Sequence, residues 1–95
     1  MQSRIGHIQF NVKSENLPFY KSLLNFLGWQ VLYDAPEMLG VGESSGASLW
    51  FAAGADGVVE NYDGPGLNHL GLNAESIADV DALAAHLAKL GILAL

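Results

Sequence analysis

The sequence predicts an α+β domain in which one strand-helix unit occurs twice, with three further short strands after the first copy. Three observations lead there. Apolar residues alternate with period two in some segments and recur at helical spacing in others, with turn residues between them. The chain also matches itself: sliding it until His7 meets His69 brings Asn11 onto Asn73 and Ser14 onto Ser76. Finally, the two helical stripes are separated by three apolar runs that are each too short for a helix.

Residues 5–12 alternate strictly. Ile5, His7, Gln9 and Asn11 fall on one face, and Gly6, Ile8, Phe10 and Val12 on the other, which predicts a strand with a largely polar face and an apolar one. From 16 to 27, Leu17, Tyr20, Leu23, Leu24 and Leu27 form a helical stripe. Pro18 sits in the first turn, where its missing N–H costs nothing, and Gly28 supplies a left-handed stop.

The three short strands are expected at 29–34, 38–43 and 47–53, divided by Ala35-Pro36 and by the turn-forming Ser44-Ser45-Gly46. Residues 54–66, with Gly54, Gly57, Gly64, Gly66, Pro65 and the acids Asp56, Glu60 and Asp63, read as a linker between modules spanning 1–53 and 67–95. A strand is expected again over 67–74. A helix is expected over 76–90, capped by the Ser76-x-x-Asp79 signature, striped by Val80, Leu83, Leu87 and Leu90, and ended by Gly91. His86 reads as a surface residue of that helix, and residues 92–95 as the start of another strand.

Composition narrows the function classes. With 51% apolar and 15% charged residues in 95, the chain is built to fold rather than to stay disordered. The absence of cysteine excludes disulfides, thiolate catalysis and cysteine-ligated metals. A net charge of -6, with 4 basic residues, disfavours nucleic acid. No apolar run approaches the roughly 20 residues of a membrane span, and no secretory signal opens the chain, so a cytoplasmic protein without a membrane partner is expected. There is no nucleophile elbow, and Gly64-Pro65-Gly66 is not a phosphate loop because no Lys follows it.

The repeat has a spatial consequence. Two copies related by a pseudo-twofold axis would set His7 opposite His69, with Gln9 and Asn11 beside the first and Asn73 beside the second, on a polar sheet surface shaped as a shallow cup. Trp50 and Phe51 are adjacent in their strand, so one of them faces the cup and the other the core.

The segments 5–12, Phe19-Tyr20 through Leu27-Gly28-Trp29, and 67–73 leading into the last helix together resemble the vicinal oxygen chelate superfamily of glyoxalases, bleomycin-resistance proteins and extradiol dioxygenases. The resemblance covers essentially the whole chain and implies paired βαβββ modules, the second incomplete here. In metal-dependent members, a His on the first strand and a carboxylate on the last strand of each module bind a divalent ion. His7 and His69 match the two His positions, so the resemblance implies Zn, Ni, Fe or Mn held by this pair, for lyase, isomerase or dioxygenase chemistry. The strand over 47–53 contains no acid, and the second carboxylate would lie beyond Leu95. Glu43 is the nearest stand-in.

The alternative is a bleomycin-resistance type of protein that sequesters a small molecule without metal and without catalysis. Its binding residues would be Gln9, Asn11, Trp50 and Asn73, and the acidic chain with a stacking Trp50 favours a cationic or aromatic ligand. A ferredoxin-like βαββαβ domain has two strands between its helices, where three are expected here. The stripe of the last helix needs more sheet than its own module supplies, which predicts a truncated chain or a homodimer that completes the cover.

Overall fold

In a computed structural model that describes residues 1–54 and 63–93, five elements build the first unit. They are strand β1 (His7–Asn11), helix α1 (Leu17–Phe26) entered through a 3-10 turn at Ser14–Asn16, and strands β2 (Gln30–Ala35), β3 (Met38–Gly42) and β4 (Ser48–Ala52). The order is βαβββ. The sheet runs β1-β4-β3-β2, with β1 parallel to β4 and the other neighbours antiparallel. A parallel pair needs a crossover, and here α1 with the β2-β3 hairpin provides it.

The α1 stripe packs on one face of this sheet. Leu17 and Leu24 join Leu39, Val41, Leu49 and Phe51 as the buried core, and Ile8, Phe10, Val12, Tyr20, Leu23 and Leu27 close around them. Phe51 is held on both sides, with Tyr20 stacked at 4.5 Å and Phe10 at 5.4 Å between ring centroids. Core and open face alternate along β1, β3 and β4, so packing one face under α1 leaves the other open.

Strand β2 carries a bulge between Val31 and Tyr33. The extra residue, Leu32, reverses the facing of everything after it. Tyr33 therefore pairs with Gly40 on the open face, and Asp34 pairs with Leu39 on the helix face, where its carboxylate meets the Lys21 ammonium of α1.

The helix ends as its sequence predicts. Gly28 takes a left-handed φ of 86°, its N–H donates to the Asn25 carbonyl at 3.0 Å, and the Trp29 N–H donates to the Leu24 carbonyl at 2.9 Å. This is a Schellman cap, and only glycine enters it without a Cβ penalty.

The chain divides into two compact units, Met1–Gly57 and Val58–Leu95. In the second, helix α2 (Ile77–Lys89) begins at Ser76, whose Oγ accepts from the Asp79 N–H at 3.1 Å. It ends in the same motif as α1, with Gly91 at φ 77°, Gly91 N–H to Ala88 carbonyl and Ile92 N–H to Leu87 carbonyl, both 3.0 Å. The repeat thus extends to matching helix stops. It does not extend to the starts, since Ser14 opens the 3-10 turn whereas Ser76 caps its helix directly.

Three expectations need correction. Residues 67–74 are not a strand, because no neighbouring strand pairs with them among the described residues and alternation alone cannot hold an isolated strand in water. Ile92 and Leu93 likewise lack regular structure, and 94–95 lie outside the described residues. His86 is half-buried rather than on the surface. Of the expected linker, residues 55–62 lie outside the described residues.

Candidate functional site

The open face of the first unit is a continuous surface built from alternate residues of four strands. His7, Gln9 and Asn11 project from β1, all exposed, and are in register with Ser48, Trp50 and Ala52 of β4. Next come Gly42, Gly40 and Met38 of β3, then Gln30, the bulge Leu32, Tyr33 and Ala35 of β2. None of these side chains is a carboxylate, ammonium or guanidinium.

Glycine shapes the middle of the face. A Cβ on Gly40 would lie 2.5 to 2.7 Å from Cζ3, Cη2 and Cε3 of Trp50, so the six-membered part of the indole lies directly on the Gly40 backbone. A Cβ on Gly42 would meet Leu32 Cδ1 at 2.9 Å, so Leu32 covers the second glycine. The indole N–H of Trp50 donates to Ser48 Oγ at 3.0 Å, which fixes the ring along its own strand. Tyr33 flanks it with centroids 6.2 Å apart, and Tyr33 and Leu32 are 51% and 56% exposed.

Beside the aromatic platform, Gln9 Nε2 donates to Asn11 Oδ1 at 3.2 Å. Gln9 is the register partner of Trp50, so the amide pair borders the indole. The Trp50-Phe51 ambiguity is resolved by register: Trp50 lies on the open face and Phe51 in the core.

The other expected site residues, His69 and Asn73, belong to the second unit, where His69 Nδ1 lies 2.7 Å from Asn68 Oδ1 and both residues are exposed. Glu43 serves the β3-β4 turn. Its carboxylate accepts from the Ser45 hydroxyl and, at 3.3 Å, from the Ala47 N–H.

The donors on the open face of the first unit do not by themselves make up a ligand set for a divalent ion. His7 is the one imidazole on the open face of the first unit, the neighbouring polar groups are neutral amides and a hydroxyl, and no group of three or more metal-ligating side chains converges among the described residues.

Four residues of this face do not stand out in the sequence as site residues. Tyr33 is placed by the β2 bulge, Ser48 by its bond to Trp50, Gly40 by the ring above it, and Leu32 by being the bulge itself. The one trace in sequence is Gly40-Val41-Gly42, two glycines at strand spacing.

A scan against protein-family models and a search of curated proteins give no match. Solved structures do match. A glyoxalase-like protein from Bacillus halodurans superposes with a TM-score of 0.83 at 26% identity, over 95% of this chain and 71% of its own. The chain has the vicinal oxygen chelate fold. Two more structures agree: a glyoxalase-like protein from Bacillus cereus, with a TM-score of 0.71 at 20% identity over 97% of this chain and 78% of its own, and the oxidase ChaP-H2, with a TM-score of 0.68 at 16% identity over 96% and 65%. No helix among the described residues is long and apolar enough to cross a membrane.

Proposed function

We propose that this protein binds a planar aromatic small molecule on the open face of the first unit, against Trp50, without a metal. Fold alone does not decide function, since the vicinal oxygen chelate fold hosts both enzymes and sequestering proteins. The observation that carries the reading is the indole laid flat on Gly40, flanked by Tyr33 and bordered by Gln9 and Asn11. A preformed aromatic surface stacks a flat ring at little conformational cost. The face has no carboxylate, ammonium or guanidinium of its own, so a preference for a cationic ring rests on cation–π attraction to Trp50 and on the net charge of -6, and the second contribution weakens as salt screens it.

The test is titration of a planar cation, a neutral bicyclic lactam and an aromatic sulfonate into wild-type protein and Trp50→Ala. The two non-anionic rings should bind, and both should lose about tenfold or more in the variant. Affinity indifferent to Trp50→Ala, or preference for the sulfonate, overturns the reading.

The lyase, isomerase or dioxygenase alternative requires a metal. Elemental analysis of protein purified without chelator, beside a His7→Ala, His69→Ala double variant, decides it: stoichiometric Zn, Ni, Fe or Mn that the double variant lacks would replace our reading. We also propose self-association as a homodimer, on the strength of the 82% exposed Ile77, the 54% exposed Val80 and the 51% exposed Leu90 along α2. A concentration-independent monomer in sedimentation would refute it.

A further inference from the structure

We infer that the ligand is elongated, a planar ring bearing an alkyl chain or a further apolar ring at one end, and that this apolar extension lies over Ala52, Met38 and Ala35. The inference rests on the proposed stacking site and adds the shape and polarity of what stacks there.

Pairing register divides the open face into rows that cross the strands. The row through the indole is Gln9, Trp50, Gly40 and Tyr33. Residues two apart in a strand lie roughly 6.5 Å apart, so one further row flanks the indole on either side at that spacing. A ligand longer than the stacked ring must reach over one of these two rows.

The two flanks differ in how they are filled. On one side the row is His7, Ser48, Gly42 and Gln30, and the bulge adds Leu32, a side chain more than regular pairing supplies. A Cβ on Gly42 would meet Leu32 Cδ1 at 2.9 Å, and Leu32 is 56% exposed, so it occupies the space the glycine leaves and stands into solvent. The other groups of this row are polar.

On the opposite side the row is Asn11, Ala52, Met38 and Ala35. Two side chains that end at Cβ flank a methionine, whose unbranched thioether adapts to whatever covers it. All three are half-buried, and none carries a hydrogen-bonding group. The backbone beneath this row is tied down, because the Val12 N–H donates to the Ala52 carbonyl and the Ala53 N–H to the Glu37 carbonyl, both at 2.9 Å. A polar extension laid here would lose hydration without gaining a partner, whereas an apolar one removes its own surface and that of Met38 from water. The platform therefore has a direction, with the apolar end of the ligand away from Leu32 and Ser48.

The experiment uses the full chain and two probes that share one ring and one charge, N-methylquinolinium and N-pentylquinolinium. Each is titrated into wild type, Met38→Ser, Ala52→Gln, Leu32→Ala and Trp50→Ala. We expect the pentyl compound to bind wild type about tenfold more tightly than the methyl one. That advantage should fall to threefold or less in Met38→Ser and in Ala52→Gln, and persist in Leu32→Ala. An advantage that survives in Met38→Ser and Ala52→Gln, or is lost in Leu32→Ala, overturns this inference, as do two probes that bind wild type equally; if Trp50→Ala still weakens both, the stacking reading stands. Affinities unchanged by Trp50→Ala, or no binding of either probe to wild type, overturn the stacking reading and this one with it.

Discussion

Replacing Gly40 by alanine tests whether the indole platform is as tightly laid as the structure places it. The new Cβ would lie 2.5 Å from Trp50 Cζ3 and 2.7 Å from two further ring atoms, against an ordinary contact of 3.4 to 4 Å, so the ring must retreat by roughly 1 Å. Gly40 has no left-handed φ, so alanine strains nothing in the backbone itself. Moving the ring costs about 0.5 to 1.5 kcal/mol for leaving its rotamer and about 0.5 to 1.5 kcal/mol for the bond from Nε1 to Ser48 Oγ. Against this, alanine stabilises by about 0.4 to 1 kcal/mol by restricting the unfolded chain. The net expectation is a loss of about 1 kcal/mol in the wild-type background and a gain of about 0.5 kcal/mol in Trp50→Ala, where nothing stands in the way. Equilibrium urea unfolding of the four proteins in this cycle gives the coupling directly, expected at about 1.5 kcal/mol. Near-ultraviolet circular dichroism of Gly40→Ala should show the indole signal altered. Coupling below about 0.5 kcal/mol together with an unaltered indole signal would refute the packing of Trp50 on Gly40, and with it the preformed platform.

Other perturbations probe the scaffold under the site. Leu24, 2% exposed between α1 and the sheet, should cost about 3 kcal/mol as alanine, read as a lower urea midpoint at unchanged slope. Ser76→Ala should cost about 1 kcal/mol and speed hydrogen exchange at the first turn of α2, the Asp79 amide above all, while Ser76→Asp should restore protection because aspartate caps as well. The Lys21-Asp34 pair is half exposed at both ends, so a double-mutant cycle should give less than about 1 kcal/mol, falling further in high salt; a larger, salt-independent coupling would mean that the pair is more desolvated than it stands here.

Much of the first unit is legible in its sequence. Strand β1 and its two faces follow from strict alternation, α1 from its stripe and the Leu27-Gly28-Trp29 stop, and the three short strands from their length and turn residues. These features depend on interactions within a few residues, so local pattern is sufficient to specify them. The Ser76 cap and the Gly91 stop of α2 were readable for the same reason.

Features that depend on partners distant in sequence were not legible. Period two predicts Tyr33 on the helix side with Val31, and the β2 bulge turns it outward because pairing with β3, rather than propensity, decides which residue is skipped. The same holds for 67–74, where alternation and the match of His69 and Asn73 to the first copy indicate a strand, yet a strand exists only when another lies beside it to take its N–H and C=O groups. The sequence by itself determined the βαβββ order, the α1 stripe and the polar character of the His7-Gln9-Asn11 face. The tertiary structure alone decided that Trp50 lies on Gly40 beside Gln9 and not in the core, because the face of a side chain is set by strand register, and register is fixed only when the strands meet.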